Sequence, residues 1–445
     1  MDSESDVLDG TIIGILIGVV TILIAAALCV YCWIKKGRNQ TDALKAPGSS
    51  VPSSSILISS KTVPLASIFT GQAHLPSKDE FEKLLKFQDG FTERFTTSQG
   101  KRYNKAGKFN LIPENLPFDH NRVKIKSPID GCDYINATWL ANSSEDPTYD
   151  ELIDTTYLPY KNINFIVGQN PIPATMQHHF RLIIENKIDL VVSFNDKEDH
   201  NNLDVGRTQI FKKLSLKIRN RRKIADHLFR TEMSVTDTAA TGLQSIHHFV
   251  YFELVNFSKN GIVSAADTEN LIKSICLVRS EIKQQASSNK VFAHDARGGV
   301  QGASAFVVLY QLMQKIDEGV TEDGRIKHSM ENLDVFSAVN QLRNDRANAI
   351  EDFGTYQGLI QCLNYYGLNR SALLQKTSTE TRVTIRRDLE QEEANGNSSV
   401  TLQQAMKVTK SNMFCKLIPQ NSTMISFLDI IMINLTISSR TRKIL

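Results

Sequence analysis

The run Lys290-Val291-Phe292-Ala293-His294-Asp295 is short, apolar at its centre from Val291 to Ala293, and followed by Ala296-Arg297-Gly298-Gly299-Val300-Gln301-Gly302-Ala303-Ser304 and the helical run Ala305 to Lys315. Its uncharged centre suits a strand covered on both faces. The glycines that follow let the backbone turn sharply, so that several N–H groups converge at the start of the next helix. A strand, a glycine-rich loop and a helix N-terminus in that order make a concave nest suited to an anion, within an α/β fold.

The 445 residues carry a net charge of +3, with 41% hydrophobic residues. That length holds one large domain or two ordinary ones plus tails. The balance of charge gives no support for nucleic-acid binding. Of the six cysteines, Cys132, Cys276, Cys362 and Cys415 are scattered as buried thiols of a reduced domain would be, while Cys29 and Cys32 lie inside an apolar run.

That run, Thr11 to Ile34, is uncharged and long enough to span a bilayer, with Tyr31 and Trp33 as interfacial aromatics at one end. Residues 1–10 carry Asp2, Glu4, Asp6 and Asp9, whereas Lys35, Lys36 and Arg38 follow the run. The positive-inside rule therefore predicts a single-pass transmembrane helix over 11–34, with residues 1–10 outside and everything later in the cytosol. Residues 35–76 are Ser/Pro-interrupted and read as a disordered juxtamembrane tether. Ser77-Lys78-Asp79-Glu80 has the capping-box pattern, and a globular domain is expected over 77–370.

Several stretches of that domain carry a family resemblance. They are Pro117-Phe118-Asp119-His120-Asn121-Arg122, Asp133-Tyr134-Ile135-Asn136-Ala137, Gln169-Asn170-Pro171-Ile172-Pro173, the strand His247 to Glu253, the loop after His294, and Arg343-Asn344-Asp345-Arg346. In this order and spacing the chain resembles the receptor-type-like protein tyrosine phosphatases. The resemblance implies an α/β fold with a central, twisted mixed sheet flanked by helices and the His294 strand in its middle, preceded here by one transmembrane helix.

The resemblance also implies that the family's chemistry has been replaced. His294 and Gly298 match the signature loop, but Asp295 stands at the nucleophilic cysteine and Gln301 at the phosphate-clamping arginine. Arg297 lies four residues too early to fill that place. A fixed carboxylate facing a phosphate dianion, at about 4 Å and an effective dielectric near 20, costs on the order of 4 kcal/mol per unit charge. Gln301 lacks the fork of charged donors that a guanidinium supplies. Asn256 stands at the general acid, and an amide cannot supply a proton. Glu253, three residues earlier, reads as a solvated strand residue. Glu351 replaces the water-positioning glutamine, Ile112 the ring-stacking tyrosine, and Glu114 keeps an acidic group in the substrate-recognition loop.

These changes predict a pseudophosphatase: no catalytic residue, no cofactor, no metal, and a cytosolic domain that binds protein partners in signalling while the 11–34 helix holds it to the membrane. Two alternatives remain at this point, a hydrolase using Asp295 as nucleophile through an aspartyl-phosphate, and a phosphotyrosine trap that binds without cleaving. Residues 371–445 are polar and expected to be a largely disordered tail.

Overall fold

The computed structural model describes residues 62–394, apart from the internal segments 93–95, 105–108, 141–162, 197–205, 207, 212, 238–244, 256, 258–261, 263, 285–288 and 322–323. The chain divides into two units, Met1–Ser60 and Lys61–Leu445, and every described residue belongs to the second. The predicted span at 11–34, most of the tether and the tail from 395 lie outside the described residues. Among the described residues no helix is long and apolar enough to cross a membrane.

Nine strands form one mixed sheet: β2 Arg122–Ile129, β3 Cys132–Trp139, β4 Asn164–Gln169, β5 Leu190–Phe194, β6 Thr208–Phe211, β7 Leu214–Ala225, β8 Leu228–Asp237, β9 Ser245–Leu254 and β10 Lys290–Asp295. Their order is β2-β3-β4-β10-β5-β9-β8-β7-β6. The four central strands β4, β10, β5 and β9 run parallel, and the flanking pairs are antiparallel. Asp295 is level with Gln169 and Phe194, and Phe194 with Leu254, so the parallel strands end at one edge. That edge is where open parallel sheets hold ligands.

β10 belongs in the middle because both of its faces are apolar. Val291 and Ala293 join the core on one side of the sheet, and Phe292 joins the core on the other. The first core is closed by α5 Ala265–Gln284, α6 Gly302–Glu318, α7 Val335–Asp345 and α8 Phe353–Ala394, the second by α4 Met176–Asn186. Helix α6 is buried along almost its whole length, which explains its run of Ala, Val, Phe and Leu. Two further helices, α2 Lys78–Thr92 and α3 Ser98–Asn104, precede the sheet.

Three expectations change. The tether drawn over 35–76 gives up its last residues: β1 Val63–Pro64 pairs antiparallel with β11 Asn332–Leu333, and helix α1 Leu65–Phe69 buries Leu65 and Ile68 to 1% and 0% exposure. A helix of five residues is too short to show periodicity, which is why this part of the sequence resembles a linker. At the other end, the boundary at 370 and the disordered tail from 371 move outward. Helix α8 continues to Ala394, and Leu373 is still buried. Once its packed half is nucleated by Tyr356, Leu359, Ile360, Leu363 and Tyr366, each further polar residue adds a hydrogen bond without renewing the nucleation cost. The third change, at Glu253, concerns the site and is taken up there.

Ile68→Ala is expected to lower domain stability by about 2–4 kcal/mol, the cost of emptying a buried site, seen as a lower urea midpoint. A variant as stable as the parent would return this segment to the tether.

Candidate functional site

The loop between β10 and α6 closes around the side chain that begins it. The Asp295 carboxylate accepts four backbone N–H groups: Arg297 at 2.9 Å and Gly299 at 2.7 Å on Oδ1, Gln301 at 3.1 Å and Ala303 at 3.0 Å on Oδ2. All four partners are donors, so the loop is shaped to hold the ionised form, although full burial draws this carboxyl's pKa up from its ordinary value. The expectation of a bare charge facing a phosphate is corrected accordingly. Asp295 is 4% exposed and its charge is met by the nest and by the N-terminus of α6.

The loop backbone is clamped from outside as well. Gly299 has φ +83°, and a Cβ there would lie 2.6 Å from the Gly168 nitrogen, so two backbones touch where only glycine fits. Arg346, fully buried, donates to Thr138 Oγ1 at 2.8 Å, Asn136 Oδ1 at 2.5 Å, the Asn115 carbonyl at 3.1 Å and the Gly298 carbonyl. Burial brings its pKa down to about 10. Asn115 Nδ2 donates to the Arg297 carbonyl at 2.8 Å, and the Ser304 hydroxyl to the Gly299 carbonyl at 2.6 Å.

Above the loop lies a cleft of about 220 Å³ lined by Ile112, Phe194, Asp196, Phe257, Asp295, Ala296, Arg297, Gln301 and Gly302. Ile112 therefore does sit on its wall, where it offers an aliphatic surface and no aromatic face. Arg297 is held in a two-pronged ion pair by Glu351, Nε to Oε2 at 3.1 Å and Nη2 to Oε1 at 2.5 Å, and this contact raises the guanidinium's pKa. Gln301 turns away and donates to Asp352 Oδ2 at 3.0 Å, the residue that also caps α8 through the Thr355 amide. Glu114 is exposed, and Asn256 lies outside the described residues. Among the described residues no group of three or more His, Cys, Asp or Glu is placed to hold a metal ion.

Beneath the loop a chain of side-chain hydrogen bonds crosses the ends of the parallel strands. His294 Nδ1 meets Asn170 Oδ1 at 2.6 Å, Asn170 Nδ2 donates to Asn195 Oδ1 at 2.8 Å, and Asn195 Nδ2 donates to Glu253 Oε1 at 2.9 Å. Arg221 Nη2 closes the chain on Glu253 Oε2 at 2.9 Å. Glu253 is thus 1% exposed and paired, not solvated, because β9 is an interior strand whose C-terminal half is covered on both faces. Burial and the neighbouring His179 hold the His294 imidazole well below its ordinary pKa, so it is neutral at physiological pH. The structure brings His294, Asp295, Arg297, Gly298, Gln301, Glu351 and Ile112 to one place. The sequence reading missed Asn115, Arg346, Asp352 and the Asn170–Asn195–Glu253 chain, whose partners are distant in sequence.

A mixed sheet whose central parallel strand ends in a nest at a helix N-terminus defines an α/β domain with an anion-binding loop. The chain belongs to the protein-tyrosine phosphatase family, whose model matches residues 108–365, more than half of its length. Among curated proteins it is similar to receptor-type tyrosine-protein phosphatase eta of Gallus gallus, 23% identical over 82% of this chain and 24% of that protein. It is also similar to tyrosine-protein phosphatase 69D of Drosophila melanogaster, 22% identical over 61% of this chain and 17% of that protein. A third relative is tyrosine phosphatase-like protein H1 of Microplitis demolitor bracovirus, 24% identical over 55% of this chain and 70% of that protein. The chain thus spans about a quarter or less of the first two relatives.

Asp295→Asn keeps the side chain's size but turns an NH2 group toward two of the four N–H donors. Two buried donors without acceptors predict a loss of roughly 2–6 kcal/mol, measurable by urea unfolding. Unchanged stability would mean that the carboxylate does not hold the loop.

Proposed function

We propose that this protein is a membrane-anchored, noncatalytic member of the tyrosine phosphatase family whose cytosolic domain binds a protein partner in signalling. The observation that carries this reading is the Asp295 carboxylate in the nest: the four N–H groups that would receive a phosphoryl group are already bonded to a side chain of the protein itself. The two other groups bearing on phosphate are also engaged, Arg297 with Glu351 and Gln301 with Asp352. The same geometry weighs against an aspartyl-phosphate mechanism, because both carboxylate oxygens are tied down and a nucleophile needs an open lone pair. It weighs equally against a phosphotyrosine trap, whose ligand would have to displace a covalently attached anion. Membrane anchoring is supported by the apolar run 11–34 with its acidic and basic flanks, and by the receptor-type names of two relatives.

The protein is expected to show no turnover of a small aryl phosphate, and no single reversion restores it. Asp295→Cys brings back a thiol but leaves the phosphoryl group without its cationic clamp and the leaving oxygen without a proton donor. Each of those terms is worth about a hundredfold or more. The triple change Asp295→Cys, Gln301→Arg and Asn256→Asp is the restoration to assay. Turnover by the unmodified protein that Asp295→Ala abolishes would establish the aspartyl-phosphate route instead.

The orientation predicts that the sequons at Asn39, Asn142 and Asn397 stay unglycosylated in a secretory-competent cell, with no mobility change on endoglycosidase treatment. Glycan at any of them would reverse the topology.

A further inference from the structure

The far end of the sheet, away from the phosphatase-type cleft, has one uncovered face. Register places Ile210, Ser215, Thr236 and Ile246 in one row across β6, β7, β8 and β9, and Thr208, Lys217, Ser234 and His248 in a second row on the same side. The intervening row turns Leu216 and Val235 into the core beneath α4, so these two rows point the other way. Farther along β9 that side is covered, and Val250 and Phe252 are buried in the larger core. At the outer rows the cover ends. Ile210 is 76% exposed and Ile246 54% exposed, on strands about 14 Å apart at ordinary strand spacing.

Among the described residues, no ion pair joins Lys217 or Arg219 to a carboxylate. Lys217 and Arg219 are exposed, and so is His248, whose pKa is lowered by partial burial and then by the nearby Arg219 and His247, so that it carries no charge at physiological pH. The acidic residues of β8 are engaged elsewhere, Asp237 with Arg181 and Glu232 with Arg230. Exposed isoleucines beside the cations Lys217 and Arg219 on a broad sheet face are the chemistry of a surface that lies against anionic lipid. Residues 35–61 are all that the sequence puts between the predicted span and the domain, at most roughly 90 Å of chain even when fully extended.

From these observations we infer that the bare face of β6–β9 docks on an anionic bilayer, with Ile210 and Ile246 entering the headgroup region and Lys217 and Arg219 facing lipid phosphate and carboxylate groups. The inference rests on the membrane anchoring proposed above.

The test is hydrogen exchange on the full chain in nanodiscs of phosphatidylcholine alone or of an equal mixture with phosphatidylserine. Amides of β6, the first half of β7 and the start of β9 should exchange severalfold more slowly in the anionic discs, while those of α6 do not change. The difference should vanish with Lys217→Glu and Arg219→Glu together, and shrink with Ile246→Ser or high salt. Equal exchange in the two lipids, or a difference that survives charge reversal, overturns this inference alone. A chain that fails to enter the discs overturns the anchor and this inference together.

Discussion

The Asp295 carboxylate holds the glycine loop together from inside. A nest of backbone N–H groups at a helix N-terminus is a buried set of donors that must find an anion, a polar side chain or water. In this chain the anion is attached to the last residue of the central strand. Four N–H bonds to one side chain fix the loop's path from Arg297 to Ala303, and they do so without a ligand. The left-handed Gly299 and the Arg346 clamp are then free to serve packing alone.

Other polar groups around the loop are compensated in the same local way. A glutamate at position 351 beside the cleft would be an uncompensated charge but for Arg297, and the two occur together as a fork-shaped ion pair. Gln301 donates to the residue that caps α8. Glu253, which would be costly alone inside the sheet, has Arg221 on one oxygen and Asn195 on the other. Arg297, Gln301, Glu351 and Glu253 are thus each taken into the fold's own hydrogen bonding.

The sequence made the central strand, the glycine loop and the order of motifs legible, because each depends on neighbours a few residues away. Val291-Phe292-Ala293 declares a doubly covered strand, and Gly298-Gly299 a backbone turn. It did not reveal that Asp295 points back into its own loop, since a carboxylate in such a place reads equally well as a charge facing outward. Glu253 was misread because strand alternation does not say whether a sheet position is interior, and its partner Arg221 lies 32 residues away. Helix α1 was too short to register as periodic, and the second half of α8 too polar to register as a helix with an apolar face.

The most direct test of the account is to follow the backbone amide resonances of Arg297, Gly299, Gln301 and Ala303 while inorganic phosphate or tungstate is titrated in. With Asp295 already bonded to all four, their chemical shifts stay constant to high oxyanion concentration. A saturable shift of these four amides would show that the nest is open to an external anion, and would contradict the account at its centre.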